Sequence, residues 1–331
     1  MTASVLPRPR AFRLRGLTWL VWRQNRAAFW IGLAVALVVA VYAAVRHQQV
    51  VAAIDEQHLD ECRGKAKASG ECLKKIVSFG TEYQFPMRRP LQVMAFLPLV
   101  YGLFLGGPQL AQELESGTYR MVCAQSVPRV RWFAAKLAVP VAMTVVVSGT
   151  LALAMTWWWH PVADVMGGQF PWYEWYPFNG IGPVVVGQSL LLLLIGVTLG
   201  LLLRRTVAAM GATLAVGAGV LVGLDWLRGH LLPTVTVNAQ HTTEPPAPDG
   251  AWLMADGPLS PSDARVSDVN SCYSTSDVRT CLTDHGRTGH WAEFHPTSHL
   301  WPLQWAETGL CLLLAGALAA LCIWRVRHRL T

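Results

Sequence analysis

Charge is what this sequence has least of. Only 14% of its 331 residues are Asp, Glu, Lys or Arg, against roughly 25% in an ordinary soluble domain. That scarcity, beside 53% hydrophobic residues, excludes a soluble enzyme and a disordered scaffold. Seven cysteines in so long a chain exclude a disulfide mini-protein. No G-x-x-x-x-G-K-[ST] occurs, so there is no phosphate-cradling loop, and no H-E-x-x-H, which removes the usual metalloprotease. The net charge of +7 forms no basic face, so nucleic acid is not an expected partner.

What the chain has instead is apolar length. Six runs, at 27–45, 91–111, 137–157, 181–203, 207–224 and 308–324, each suffice to cross a hydrocarbon core about 30 Å thick. Backbone N–H and C=O groups in lipid must be satisfied within the segment, so the runs are expected to be helices. Ahead of the first run, Leu17, Trp19, Leu20, Val21 and Trp22 lie among Arg13, Arg15, Arg23 and Arg26. That pattern suits an amphipathic helix in the membrane interface or a simple orientation anchor.

Lys and Arg partition unevenly between the connections. The tail to Arg26, the loop 112–136, the pair Arg204-Arg205 and the tail from Arg325 hold 15 basic residues against two acids, Glu113 and Glu115. The alternate set, 46–90, 158–180 and 227–305, holds 12 over a longer stretch with 16 acids. Basic density places the first set in the cytoplasm. The expected fold is therefore an all-α polytopic protein of the plasma membrane with six transmembrane helices and both termini cytoplasmic. Its units are a tail and interfacial helix (1–26), helices 1–5 (27–226), a large outer loop (227–305), and helix 6 with a cytoplasmic tail (306–331). Within the second unit lie an outer loop (46–90) and the cytoplasmic loop (112–136). The first run lacks a clear small-x-small cleavage site, so a retained signal anchor is expected.

The cysteines agree with this topology. Cys62 and Cys72 fall in one outer loop and Cys272 and Cys281 in the other, while Cys123, Cys311 and Cys322 fall in the cytoplasmic loop or the membrane. Disulfides Cys62–Cys72 and Cys272–Cys281 are expected in preference to zinc-bound thiols. His285, His290, His295 and His299 crowd the last outer loop, but without a cysteine framework we assign no metal site. The aromatic tracts Trp157-Trp158-Trp159 and Trp172-Tyr173-Glu174-Trp175-Tyr176-Pro177, with Trp301 and Trp305, suit an interfacial belt or else an aromatic substrate site. Asp225 and Glu307 lie near the outer ends of the fifth and sixth runs; intramembrane acids are functional candidates, but at interfacial depth these are expected simply to face water. Gln92, Gln109 and Gln188 are polar enough to contact a cargo, although hydrogen bonding between helices is the commoner use.

The cytoplasmic loop is the most informative stretch. Gly106-Gly107-Pro108 permit a bend or break at the membrane exit, and Gly117 suits a left-handed helix end. Ser126 is a candidate N-cap for a second amphipathic helix. The run Gln112-Glu113-Leu114-Glu115-Ser116-Gly117-Thr118-Tyr119-Arg120 resembles the glutamate–x–x–serine–glycine–aromatic signature of ABC-2 type permeases, the membrane subunits of ATP-binding-cassette exporters, including the ABCG-like group. Thr118 stands where relatives often carry the aromatic residue. Ser126, Arg129 and Lys136 resemble the serine–arginine–lysine pattern that follows, with a last interval of seven.

The resemblance implies that Glu113, Glu115, Ser116, Gly117, Thr118, Tyr119 and Arg120 couple to an ATPase. It implies catalysis on a separate chain, two copies of that ATPase holding ATP and Mg, and a second permease copy forming a homodimer or heterodimer. The nearly uncharged helices suit a hydrophobic or amphipathic cargo (a drug, lipid or lipophilic peptide), as in multidrug efflux. Two other readings stand beside it: a membrane enzyme acting on a lipid through the outer loops, and a non-catalytic immunity or sensor protein.

Overall fold

The computed structural model describes residues 17–62, 70–117, 128–242, 244–266, 280–281, 284 and 286–329. Six helical stretches, Arg26–Gln57, Gly70–Glu115, Val130–Gln169, Val184–Leu203, Thr206–Arg228 and Thr297–His328, are long and apolar enough to cross a membrane.

Helix α1 (Leu17–Gln57) runs 41 residues without a break, so the segment read as interfacial and the first crossing form one rod. Its Ala36, Ala43 and Val50 are fully buried. This seven-residue period of small side chains keeps one seam against a neighbour, here the long α5 (Arg129–Met166). Ile31, Val35 and Val38 point away and are exposed, as a lipid-facing surface requires.

The connection 46–90 is largely helical. Helix α1 extends to Gln57, a single turn spans Leu59–Cys62, and the Cys62–Cys72 disulfide ties it to α2 (Gly70–Phe79). A wide turn, Gly80–Gln84, leads into α3 (Phe85–Val100). A second wide turn, Tyr101–Gly106, leads into α4 (Gly107–Glu115). Gly106-Gly107-Pro108 thus mark no break. Pro98 removes one donor from the ladder, and the local unwinding is absorbed in the wide turn after it.

The glycines there serve close packing. A Cβ on Gly102 would lie 2.8 Å from the Leu192 carbonyl oxygen, and one on Gly106 would lie 2.5 Å from that of Leu193. From the other side, a Cβ on Gly200 would lie 2.6 Å from the Gly107 oxygen, and one on Gly196 would collide with Gly102. Two Gly-x-x-x-Gly faces meet backbone to backbone, the approach that small residues allow in membranes. The second face belongs to α7 (Val184–Leu203), the hub of the bundle, with 83% of its apolar window buried against 11% for α1.

After α5, which ends at Gly167 with a positive φ, the short α6 (Trp175–Gly180) turns the chain into α7. Arg204, left-handed at φ 54°, and extended Arg205 reverse it into α8 (Thr206–Arg228). The last helix is α9 (Leu300–Arg329).

The all-α expectation fails between α8 and α9. Strands β1 (Val235–Gln240), β2 (Trp252–Leu259) and β3 (Gly289–His295) form an antiparallel sheet in the order β1-β3-β2. Val235 pairs with Phe294 and Trp252 with His295. The alternation Val235-Thr236-Val237 is a strand signal that the apolar runs on either side overshadow. Cys272 and His285 lie outside the described residues; Cys281 is disulfide-bonded. We call the two ends of the bundle the sheet end and the loop end, the latter carrying α4's last turn and the α7–α8 reversal.

Candidate functional site

At the loop end, α4 delivers two carboxylates to two different helices. Glu113 forms an ion pair with Lys136 on the second turn of α5. The Lys136 side chain is buried to 8% exposure, with its ammonium 5.6 Å from the centre of the Trp132 ring. Glu115 accepts hydrogen bonds from the Thr206 backbone N–H (2.8 Å) and hydroxyl (2.7 Å). A carboxylate there satisfies an otherwise orphan donor at the start of α8 and complements its dipole. Ser116 closes α4 by donating its N–H to the Gln112 carbonyl, and Gly117 follows at φ +72°, the left-handed exit the sequence suggested.

Thr118, Tyr119, Arg120 and Ser126 lie outside the described residues. Arg129 opens α5, with Pro128 rather than Ser126 at the cap position. The second amphipathic helix expected here is simply the start of the 38-residue α5. Proline fits that position because its missing N–H would be unpaired anyway. Gln109 is half-buried beside Lys136 and Phe133, and Gln92 is half-buried on α3.

At the sheet end, Glu307 does not face water. It is completely buried, and its Oε2 accepts from Arg228 Nε at 2.9 Å. Its Oε1 accepts from Gln188 Nε2 at 2.7 Å. Asn179 Oδ1 accepts from both Gln188 Nε2 and Arg228 Nη2, each at 2.9 Å. Arg228 Nη1 reaches the more exposed Asp225 at 2.8 Å, and the guanidinium lies 3.7 Å from the Phe178 ring centre. Gln304, fully buried on α9, donates to the Phe178 carbonyl and accepts from the Val184 N–H. One network therefore binds α6, α7, α8 and α9. Of the three glutamines, Gln188 is the one that joins it.

Sequence reasoning missed Arg228, Asn179 and Gln304. The available signal was Arg228 itself, a cation closing an apolar run three residues after Asp225. A cation so placed needs a carboxylate partner once buried, but nothing local says that the partner is Glu307.

Of the four histidines noted in the sheet segment, hereafter the cap, the three described ones take part in hydrogen bonds. His290 bonds Asp256 (2.7 Å) on the neighbouring strand and Arg287. His295 Nε2–H donates to the Gly229 carbonyl just after α8, and its Nδ1 lies 3.0 Å from that of His299. Burial holds His295 below the ordinary imidazole range. Among the described residues no group of three metal-ligating side chains occurs.

The aromatic tracts divide. Trp157 and Trp305 are exposed as a belt requires, whereas Trp158, Trp159, Trp172 and Tyr176 are buried, Trp158 edge-on to Tyr42 of α1. Tyr173 stacks on Trp252 of β2 at 5.5 Å, fastening the cap to the helices, and burial pushes the phenols of Tyr173 and Tyr176 up.

A family model described as ABC-2 membrane transporter related matches residues 33–228, from within α1 to the last residue of α8. No curated protein and no solved structure shows significant similarity.

Proposed function

The chain belongs to the ABC-2 membrane transporter related family, and on that premise we propose that it is the membrane-spanning permease subunit of an ATP-binding-cassette exporter. It carries a hydrophobic or amphipathic cargo out of the cell. A separate ATPase, present in two copies and holding ATP and Mg, docks on the 112–136 loop. A second permease copy, identical or related, completes the translocation unit. The loop end and both termini are cytoplasmic, and the sheet end is outside the plasma membrane.

The observation that carries this reading is the family match over all of α2 to α8 together with six membrane-length helices. The position of α4 supports the coupling role: its exit at Gly117 is tied to α5 through Glu113 and to α8 through Glu115. A push on that turn reaches two helices at once. The lipid-enzyme alternative has less support, because His290 and His295 are engaged in holding the cap.

The test is a mild-detergent pull-down of the tagged chain from its native membrane. Recovery of a Walker-motif ATPase, lost in Glu113→Ala or Gly117→Pro while membrane insertion persists, is the expected result. A chain that purifies alone would overturn the assignment and return the lipid-enzyme and sensor readings, and normal export by both variants would overturn the coupling role of the loop.

A further inference from the structure

Helices α7 and α9 run parallel and end together at the loop end. Their register is set along the whole pair. Gln188 meets Glu307, a Cβ on Gly187 would lie 3.2 Å from Thr308, and Thr198 Oγ1 lies 3.3 Å from Cys322 Sγ. At 1.5 Å per residue, Arg204 stands about 9 Å beyond that last contact and Arg327 about 7.5 Å. Packed helices lie about 8–10 Å apart, so two extended guanidiniums can converge on one group. The start of α5 joins them, because Trp132 and Phe133 pack with Leu201, Cys322 and Val326 in one cluster. Arg131 precedes Trp132, while Arg325 and Arg327 flank Val326. Arg131, Arg204 and Arg327 are exposed, and Arg325 is half-buried.

The chain supplies these arginines with no side-chain counter-charge. The described loop end has two acids: Glu113 is paired with Lys136, and Glu115 holds the start of α8 and attracts Arg205. Among the described residues no carboxylate pairs with Arg131, Arg204, Arg325 or Arg327. The adjoining segments outside the described residues, 1–16, 118–127 and 330–331, contain no Asp or Glu. Like charges gathered at one end repel one another, and an anion from outside the chain removes that repulsion.

The neighbouring surface says which anion. One turn toward the sheet end, Leu321 and Ile323 share the α9 faces of Arg325 and Arg327, and Leu203 directly precedes Arg204. All three apolar side chains are exposed. Apolar surface beneath a guanidinium matches an acyl chain beneath a phosphate, whereas a free phosphate would use the arginines alone. The planar guanidinium fork also suits phosphate oxygens. We propose that the loop end of the α7–α9 pair binds an anionic phospholipid, one whose headgroup phosphate has no ammonium beside it. Arg204 and Arg327 are its principal contacts, with Arg131 and Arg325 next to them. The inference rests on the chain spanning a membrane and needs neither nucleotide nor a partner chain, so it stands apart from the transporter reading.

The test is native mass spectrometry of the full chain, released from a maltoside detergent and titrated with dioleoylphosphatidylglycerol or dioleoylphosphatidylcholine. The first is expected to bind at least about tenfold more tightly, because each basic residue near an anionic surface contributes about fivefold. Arg327→Gln is expected to weaken phosphatidylglycerol about fivefold, and the same change with Arg204→Asn about 25-fold; Asn tolerates the left-handed position at 204. Phosphatidylcholine binding should change in neither variant. Arg23→Gln with Arg26→Gln removes equal charge from α1 and is expected to leave phosphatidylglycerol affinity within about twofold, as screening of distant charges requires. In a parallel melt, phosphatidylglycerol should raise the melting temperature and excess inorganic phosphate should not. Equal affinity for the two lipids, equal losses in the two double variants, or the same stabilisation by inorganic phosphate would each overturn the proposal.

Discussion

The two ends of the bundle are held together by different physics. At the sheet end an arginine and a glutamate, 1% and 0% exposed, are joined by Gln188 and Asn179 into one network across four helices. In such surroundings a missing partner leaves an uncompensated charge. At the loop end the ties are the Glu113–Lys136 pair, whose ammonium is buried, and an exposed carboxylate on a helix start, the second an interaction that water can replace at little cost. Between them, the Gly-x-x-x-Gly crossing of α7 with the Tyr101–Gly106 turn and α4 leaves no space for adjustment. The sheet end is clamped by buried charge, whereas the tie from α4 to the start of α8 is a light one.

The comparison is tested most severely at Arg228. Arg228→Ala strands Glu307 and should cost about 3–5 kcal/mol, read as unfolding of the purified chain in detergent. Arg228→Met with Glu307→Leu should recover much of that loss, and a single variant as mild as one at the loop end would erase the contrast. Next in size is the crossing. Gly196→Leu drives a side chain into the Gly102–Gly107 backbone, and overpacking of about 1–3 kcal/mol or more is expected in the same assay.

At the loop end, Glu115→Ala should lower stability only slightly, as loss of an exposed helix cap does, and Glu115→Gln less. A loss as large as that at Arg228 would show that the loop end is clamped too.

The smallest effect concerns the cap. His295 has its folded-state affinity for protons lowered chiefly by burial, so the unfolded chain takes up the proton first as pH falls. Its contribution is therefore fully favourable above the ordinary histidine value of about 6.5 and turns unfavourable below it. Melting temperature should fall between pH 7.5 and 5.5, and His295→Asn should flatten that dependence while lowering stability at both values.

Much of this was legible before any coordinates. The six crossings follow from apolar length, since lipid offers the backbone no hydrogen-bonding partner. The Cys62–Cys72 bond follows from spacing and compartment, and the α4 exit at Gly117 from glycine's access to positive φ. The buried Trp159 and Trp172 read no differently from the exposed Trp157, because an aromatic tract at an interface looks alike whether it faces lipid or a cap. The sheet was missed because strands of six to eight residues give weak signals beside apolar runs three times their length.

By itself, then, the sequence determined the class of molecule. Hydropathy, charge asymmetry and cysteine placement are local properties, and the bilayer acts on each segment one at a time. Only the tertiary structure decided which residues the chain depends on. Glu307 reads as a peripheral acid until Arg228, 79 residues away, arrives beside it, and Gly106 reads as a breaker until the α7 backbone packs against it. Burial and partnership are properties of pairs distant in sequence, and no window along the chain contains them both.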